Sequence, residues 1–358
     1  MASPLPPSGS PQTLTAPTRA LLTHFLALLS TTQSSQPTSA SAVSALASAG
    51  ETAYDPYLPV LSVLKDAASL LRAHTTKLSL LAINKPFTPS AIEKVLKEIQ
   101  GTCLPAMMGA VEACTVERWG ACVRGEVVGN VGRALRARNK EILATASEKG
   151  QNGEEQRNKE VLATTGLVWE ACDALVGLQK LGVVGLVIQK AENYRGALAD
   201  ALDELKEWGE DEEDEDEEEN DDGFSEDGFG MEAENKMPKG DSRLRELLDE
   251  SLKKIRLVET LFKAISKRRL KSVPTPDCPT QKLDKLMGLL KKIPDDVDDL
   301  ANAFYQLDSN QAEALLRGCV KDAKAVSEVV SVDWKGERDA FTEWAGKWRE
   351  IIDVPSAQ

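Results

Sequence analysis

The stretch Glu210–Asp222 reads EDEEDEDEEENDD, and twelve of its thirteen residues are carboxylates. Like charges four apart each destabilise a helix by about 0.2–0.5 kcal/mol, and nothing in the run can enter a core. The run therefore reads as an extended, solvated linker. Strong helical patterns stop at it and resume after it. The expected architecture is all-α: two antiparallel helical bundles joined by an acidic disordered linker. The boundaries follow from the patterns: a disordered tail over 1–17, an N-terminal bundle over 18–208 with a mobile loop at 30–54, the linker over 209–240, and a C-terminal bundle over 241–355.

Composition supports that reading. Aromatic residues are only 5%, and Leu, Ala and Val dominate the apolar 42%, which favours helices over a β-sandwich. The formal charge is −14; without the run's twelve acids the rest of the chain stands at −2. A nearly neutral body gives no electrostatic reason to expect nucleic-acid binding, and the run itself favours basic partners. No apolar run reads as approaching the ~18–20 residues of a membrane span, so no membrane partner is expected. Six cysteines without a CxxC pair read as free thiols in a reducing compartment.

The helical stripes are regular. A short helix is expected from Thr18 to Leu29, with Pro17 near its start. Val60, Leu64, Ala67, Leu71, His74, Leu78 and Leu81 follow a 4-3 spacing on one helix. Pro86 and Pro89 end it, Ser90 is placed to cap the next helix, and Pro105 is placed to kink it. Val123, Val127, Val131 and Leu135 mark a following helix, whose Gly125, Gly129 and Gly132 are expected to let a neighbour approach closely. A loop is expected over Glu148–Asn158. Val161, Thr165, Val168, Cys172 and Leu175 form a stripe, and a turn is expected at Gly177–Gly182. Val187, Ala191, Tyr194, Leu198, Ala201, Leu205 and Trp208 run on to the acids. Beyond them, Asp241 caps a helix carrying Leu244, Leu248, Leu252, Ile255, Phe262 and Ile265. Pro294 is expected to break the next helix. Leu315, Cys319 and Val326 mark another, and Phe341, Trp344, Trp348 and Ile351 share a face of the last.

Chemistry is sparse. The two histidines, His24 and His74, lie on apolar helical faces without the partners a triad needs. There is no HExxH, GxSxG or P-loop, so no catalytic, cofactor-binding or metal-binding residue is assigned and no cofactor is expected. Two basic clusters read first as solvated, dipole-compensating faces: Arg133, Arg136, Arg138 and Lys140, and then Lys267, Arg268, Arg269 and Lys271. The second, SKRRLK, also has the form of a nuclear-import signal. Within DDGFSEDGFG, Phe224 and Phe229 are candidate partner-binding aromatics, and Ser225 among acids is a candidate phosphorylation site.

Two stretches carry a family resemblance. His74-Thr75-Thr76-Lys77-Leu78-Ser79-Leu80-Leu81 followed by Pro86, and Thr164-Thr165-Gly166-Leu167-Val168-Trp169-Glu170-Ala171-Cys172-Asp173, resemble the cyclin-D-binding protein family (GCIP, the human homologue of Maid). The helix running into an acidic linker with Phe and Gly fits as well. The resemblance covers about residues 55–230. It implies an all-helical, non-enzymatic regulator of cytoplasm and nucleus that binds cyclin D or helix–loop–helix transcription factors. It assigns no binding residue by position. The periodicities alone also suit a cytoskeletal or adhesion-type helical scaffold.

Overall fold

The computed structural model describes residues 11–34, 58–86, 88–146, 153–211, 235–275 and 277–354. Among them there is no β-strand; the chain is all-α, as the stripes predict. It divides into two compact units, Met1–Leu186 with Thr275–Thr280 and Val187–Pro274 with Gln281–Gln358. Residues 212–234 of the linker expected over 209–240, with Phe224, Ser225 and Phe229, lie outside the described residues.

The first unit opens with α1 (Pro11–Ser34). The chain is therefore helical from Pro11, seven residues before the expected start, and Pro17 lies inside the helix. Burial outweighs the proline's lost hydrogen bond: Thr15, Thr18 and Leu22 are fully buried. Helix α2 (Leu58–Ile83) buries Leu64, Ala67, Leu71 and Leu78, as its spacing predicts. Helix α3 (Pro89–Glu98) takes Thr88, not Ser90, as its N-cap residue, with Pro89 just inside the start. Its chain continues through a π-helical segment, Ile99–Cys103, into α4 (Leu104–Ala113). Pro105 has no N–H, and its ring would strike the carbonyl four residues back. The wider turn absorbs that conflict, with the Leu104 N–H bonded to the Ile99 carbonyl.

Helix α5 (Val116–Ala146) is broken in its first turn at Gly120, where φ is 75° and ψ is 159°. It buries Val123, Val127, Val131 and Leu135 as expected. Helices α1 and α4 pack against it, and α2 packs against α3 and α4. The glycines of α5 do not serve close approach: a Cβ at Gly125 or Gly129 meets nothing, and at Gly132 it meets the Arg136 guanidinium. Gly125→Ala is therefore expected to stabilise the protein by about 1 kcal/mol, read as a raised midpoint in urea.

Helix α6 (Gly153–Glu210) starts five residues inside the loop expected over 148–158. The expected turn at 177–182 is one residue, Gly182, with φ 62° and ψ −174°. The stripe Val161, Thr165, Val168, Cys172 and Leu175 is buried. Helix α6 also corrects the expectation about apolar length. It contains an 18-residue window of mean hydropathy 1.7 and is long and apolar enough to cross a membrane by length and composition.

The second unit begins part-way along α6. The sequence placed the boundary after Trp208, but the units part between Leu186 and Val187. The reason is where the later stripe finds its neighbours. Arg195 pairs with Glu259 at 2.9 Å, and the Trp208 ring lies 6.2 Å from Phe304 and 5.6 Å from Tyr305. Trp208 Nε1 donates to the Asn235 carbonyl at 2.6 Å, and Met237 is buried. The end of the expected linker, 235–240, is thus fixed against this unit. Gly209 is a real close approach: a Cβ there would run into Leu248, itself buried. Gly209→Ala is expected to cost about 1–3 kcal/mol by overpacking, the opposite sign to Gly125→Ala in the same urea measurement.

Helix α7 (Ser242–Arg268) is capped by Asp241, which accepts from the Leu244 N–H at 2.9 Å. After a 3₁₀ turn at Leu270–Ser272 come α8 (Thr280–Tyr305), α9 (Ser309–Val329) and α10 (Ala340–Asp353). Helices α7, α9 and α10 pack against one another. Pro294 does not break α8; it is buried within it beside Ile293 and Val297. On α9, Leu316 faces the core and Leu315 is only half-buried. On α10 the buried face is Phe341, Ala345, Trp348 and Ile352, while Ile351 is 54% exposed. An i, i+4, i+7, i+11 face was chosen over the expected i, i+3, i+7, i+10 one. Both fit a 3.6-residue period, and only the neighbouring helices decide between them.

Candidate protein-binding site

The two stretches behind the resemblance meet inside the first unit. Thr76 on α2 accepts from Trp169 Nε1 on α6 at 3.2 Å. The Arg72 guanidinium lies 5.2 Å from the centre of the same indole and 3.3 Å from Asp173. Leu78, Val168 and Cys172 are fully buried. These residues lock α2 to α6, so the stretches serve packing before they serve recognition.

Beneath them lies a buried ion pair. Arg138 and Glu141, one turn apart on α5, have no exposed side-chain surface and are bonded to each other. Arg138 also donates to Thr75 Oγ1 at 3.4 Å. Arg138 Nε and Nη2 and Glu141 Oε1 make no hydrogen bond. Burial raises the Glu141 pKa against the pull of Arg138. His74 sits 3.4 Å from Glu98, and burial lowers its pKa. All six cysteines are free thiols. Burial pushes Cys103 up to about 11 and Cys114, Cys172 and Cys319 up to about 12. These four are packed thiols, protonated at neutral pH and unsuited to nucleophilic work.

The rest of the first basic cluster stays on the surface. Arg133, Arg136 and Lys140 are exposed and edge a groove between α5 and α6, floored by Ala137, Leu167, Ala171 and Ala174. Glu170 lines it too. Arg133 donates to Asn130 Oδ1 at 2.5 Å. Among the described residues none of the three cations forms an ion pair, whereas Lys85, Lys97 and Lys159 elsewhere on this unit each hold a glutamate. The second stretch of the resemblance supplies Leu167, Glu170 and Ala171 to this groove. Sequence reading noted the cations but not the groove, because its apolar half comes from residues about thirty positions later.

The second basic cluster is divided by the fold. Lys267, Arg268 and Lys271 are exposed, but Arg269 is 2% exposed. Arg269 donates from Nε to the Val330 carbonyl at 2.9 Å and from Nη1 and Nη2 to the two oxygens of Asp339 at 2.6 and 2.8 Å. Its guanidinium lies 4.3 Å over the Phe341 ring. Those hydrogen bonds hold the Asp339 carboxyl well below the usual carboxylate range. Arg269 is thus a clamp at the start of α10, not a free member of SKRRLK. Among the described residues no cluster of His, Cys, Asp or Glu could hold a metal ion.

The comparisons with known proteins fall on this same region. Residues 63–211 match the family described as Grap2 and cyclin-D-interacting, N-terminal. Both stretches behind the resemblance, the buried Arg138–Glu141 pair and the whole α5–α6 groove lie inside that span. An uncharacterised protein of the fission yeast Schizosaccharomyces pombe is 28% identical over 305 residues, 83% of this chain and 85% of that protein. The likeness to it extends beyond the family span into the second unit.

Proposed function

We propose that this chain is a non-enzymatic regulatory protein that acts on the cell cycle or on transcription by binding other proteins through its helical units. The observation that carries the reading is the match of residues 63–211 to a family described as cyclin-D-interacting. The partner is a cyclin or a helix–loop–helix transcription factor. Phe224 and Phe229 add a further partner contact. The protein works in cytoplasm and nucleus, with exposed Lys267, Arg268 and Lys271 serving import.

Affinity purification of the tagged chain from its own cells tests the reading. Recovery of cyclins, their kinases or transcription factors is the expected result. Recovery of actin or adhesion proteins in their place contradicts it and favours a helical scaffold. For import, a reporter carrying residues 260–275 is expected to accumulate in the nucleus; cytoplasmic retention contradicts that part.

A further inference from the structure

We propose that the α5–α6 groove of the first unit docks an acidic amphipathic helix of a partner protein, seating its carboxylates on Arg133, Arg136 and Lys140 and its apolar ridge over Leu167 and Ala171. This rests on the reading of the chain as a protein-binding regulator and names the chemistry of the partner.

The spacing sets the shape of the occupant. Arg133, Arg136 and Lys140 stand at i, i+3 and i+7, a single stripe about 10 Å long on α5. Leu167, Ala171 and Ala174 repeat i, i+4 and i+7 along α6. Two helical stripes side by side, one charged and one apolar, match the flank and ridge of a third helix. The floor is made largely of alanine, so a backbone can come close, while Leu167, 43% exposed, offers an apolar contact at one end.

Charge then fixes the class. Three cations without ion-pair partners among the described residues complement carboxylates at matching spacing on the incoming helix. Glu170, also in the lining, disfavours a phosphate backbone and selects a partner with a basic residue on its opposite flank. Among the described residues the groove lining holds no aromatic ring, so it lacks the stacking platform single-stranded nucleic acids use. The charge and chemistry of the lining therefore favour a carboxylate-bearing helix over RNA or a lipid headgroup.

The test uses the full chain and a fluorescein-labelled synthetic helix of about 18 residues, five turns. Its leucines form one ridge, with a row of glutamates on one flank and a single lysine on the other, so that the peptide is acidic overall. Fluorescence anisotropy should show binding to the wild-type chain that weakens as salt is raised. Arg133→Glu/Arg136→Glu/Lys140→Glu should weaken it about tenfold or more and flatten the salt dependence. These three side chains are exposed, so circular dichroism of the triple variant should match wild type. Leu167→Glu, a second exposed change, should weaken binding with the salt dependence retained.

No binding by the wild-type chain overturns the proposal, and so does equal affinity for a scrambled peptide. Undiminished binding by the triple variant overturns it as well. Three other occupants are tested in parallel: vesicles containing phosphatidylserine, a single-stranded RNA, and a peptide of this chain's own residues 210–230. Any of these binding the groove more tightly than the helix, with loss in the triple variant, overturns it. The two readings fail separately. If the triple variant still recovers cyclin or transcription partners from cells, the groove assignment falls and the regulatory reading stands. If the wild-type chain recovers none, the regulatory reading falls whatever the peptide does.

Discussion

Arg138→Ala is expected to destabilise the first unit by about 3–5 kcal/mol, because it leaves the Glu141 carboxylate buried with no opposing charge. The substitution removes the ion pair and the bond to Thr75 together. The double variant Arg138→Met/Glu141→Leu is expected to behave very differently. It removes both charges along with the three polar atoms that make no hydrogen bond in the wild-type pair. Such a swap should be neutral or stabilising, by up to about 4 kcal/mol. Thermal unfolding followed by circular dichroism reads the overall change. Hydrogen exchange on the α5 amides assigns it to this unit. If the double variant is as damaged as Arg138→Ala, the pair contributes more than its desolvation costs, and the account of the core is wrong.

Arg269→Ala is expected to cost the second unit about 3 kcal/mol, the low end for a broken buried pair. The low end applies because Asp339 is 42% exposed, so water can solvate its freed charge. Arg269→Lys should recover only part of the loss: an ammonium cannot make the two parallel bonds to Asp339 or stack on Phe341 as a guanidinium does. The pH dependence follows from the depressed Asp339 carboxyl. Its stabilisation is fully present above the unfolded value of about 3.9 and is lost as pH falls through the lower folded value. Asp339→Asn should therefore be less stable than wild type at neutral pH. The gap should close as pH falls below about 4, since wild type then loses what the variant never had. Urea midpoints across that range, with exchange on α10 amides, check the sign.

These two arginines also show what could be read from residues alone. Arg138 and Arg269 each stand in a basic cluster, and a charge cluster reads first as a solvated face. Nothing local says otherwise. Thr75 lies 63 positions before Arg138, and Asp339 lies 70 after Arg269. An arginine's burial is decided by what the fold brings to it. The helices themselves were legible, since stripes such as Leu64, Ala67, Leu71, Leu78 and Val161, Thr165, Val168, Cys172 need only their own spacing. Local breakers misled. Pro17 and Pro294 were read as ends, yet burial around each outweighs one lost hydrogen bond. Gly125 and Gly129 suggested close packing that is absent, while Gly209, beside the acids and read as linker, is the one among the described glycines whose Cβ would run hardest into a neighbour. The family stretches were visible because they are runs of neighbours. The groove was not, because α5 and α6 each hold only half of it.

The central claim is that the family region works as a surface for another protein. The most direct measurement compares the wild-type chain with Arg133→Glu/Arg136→Glu/Lys140→Glu, each tagged and purified from the protein's own cells, with bound proteins quantified by mass spectrometry. The account predicts a cyclin or transcription partner on the wild-type chain, reduced about tenfold on the variant at equal chain abundance. Cytoskeletal proteins as the main partners, held equally by both chains, would contradict it.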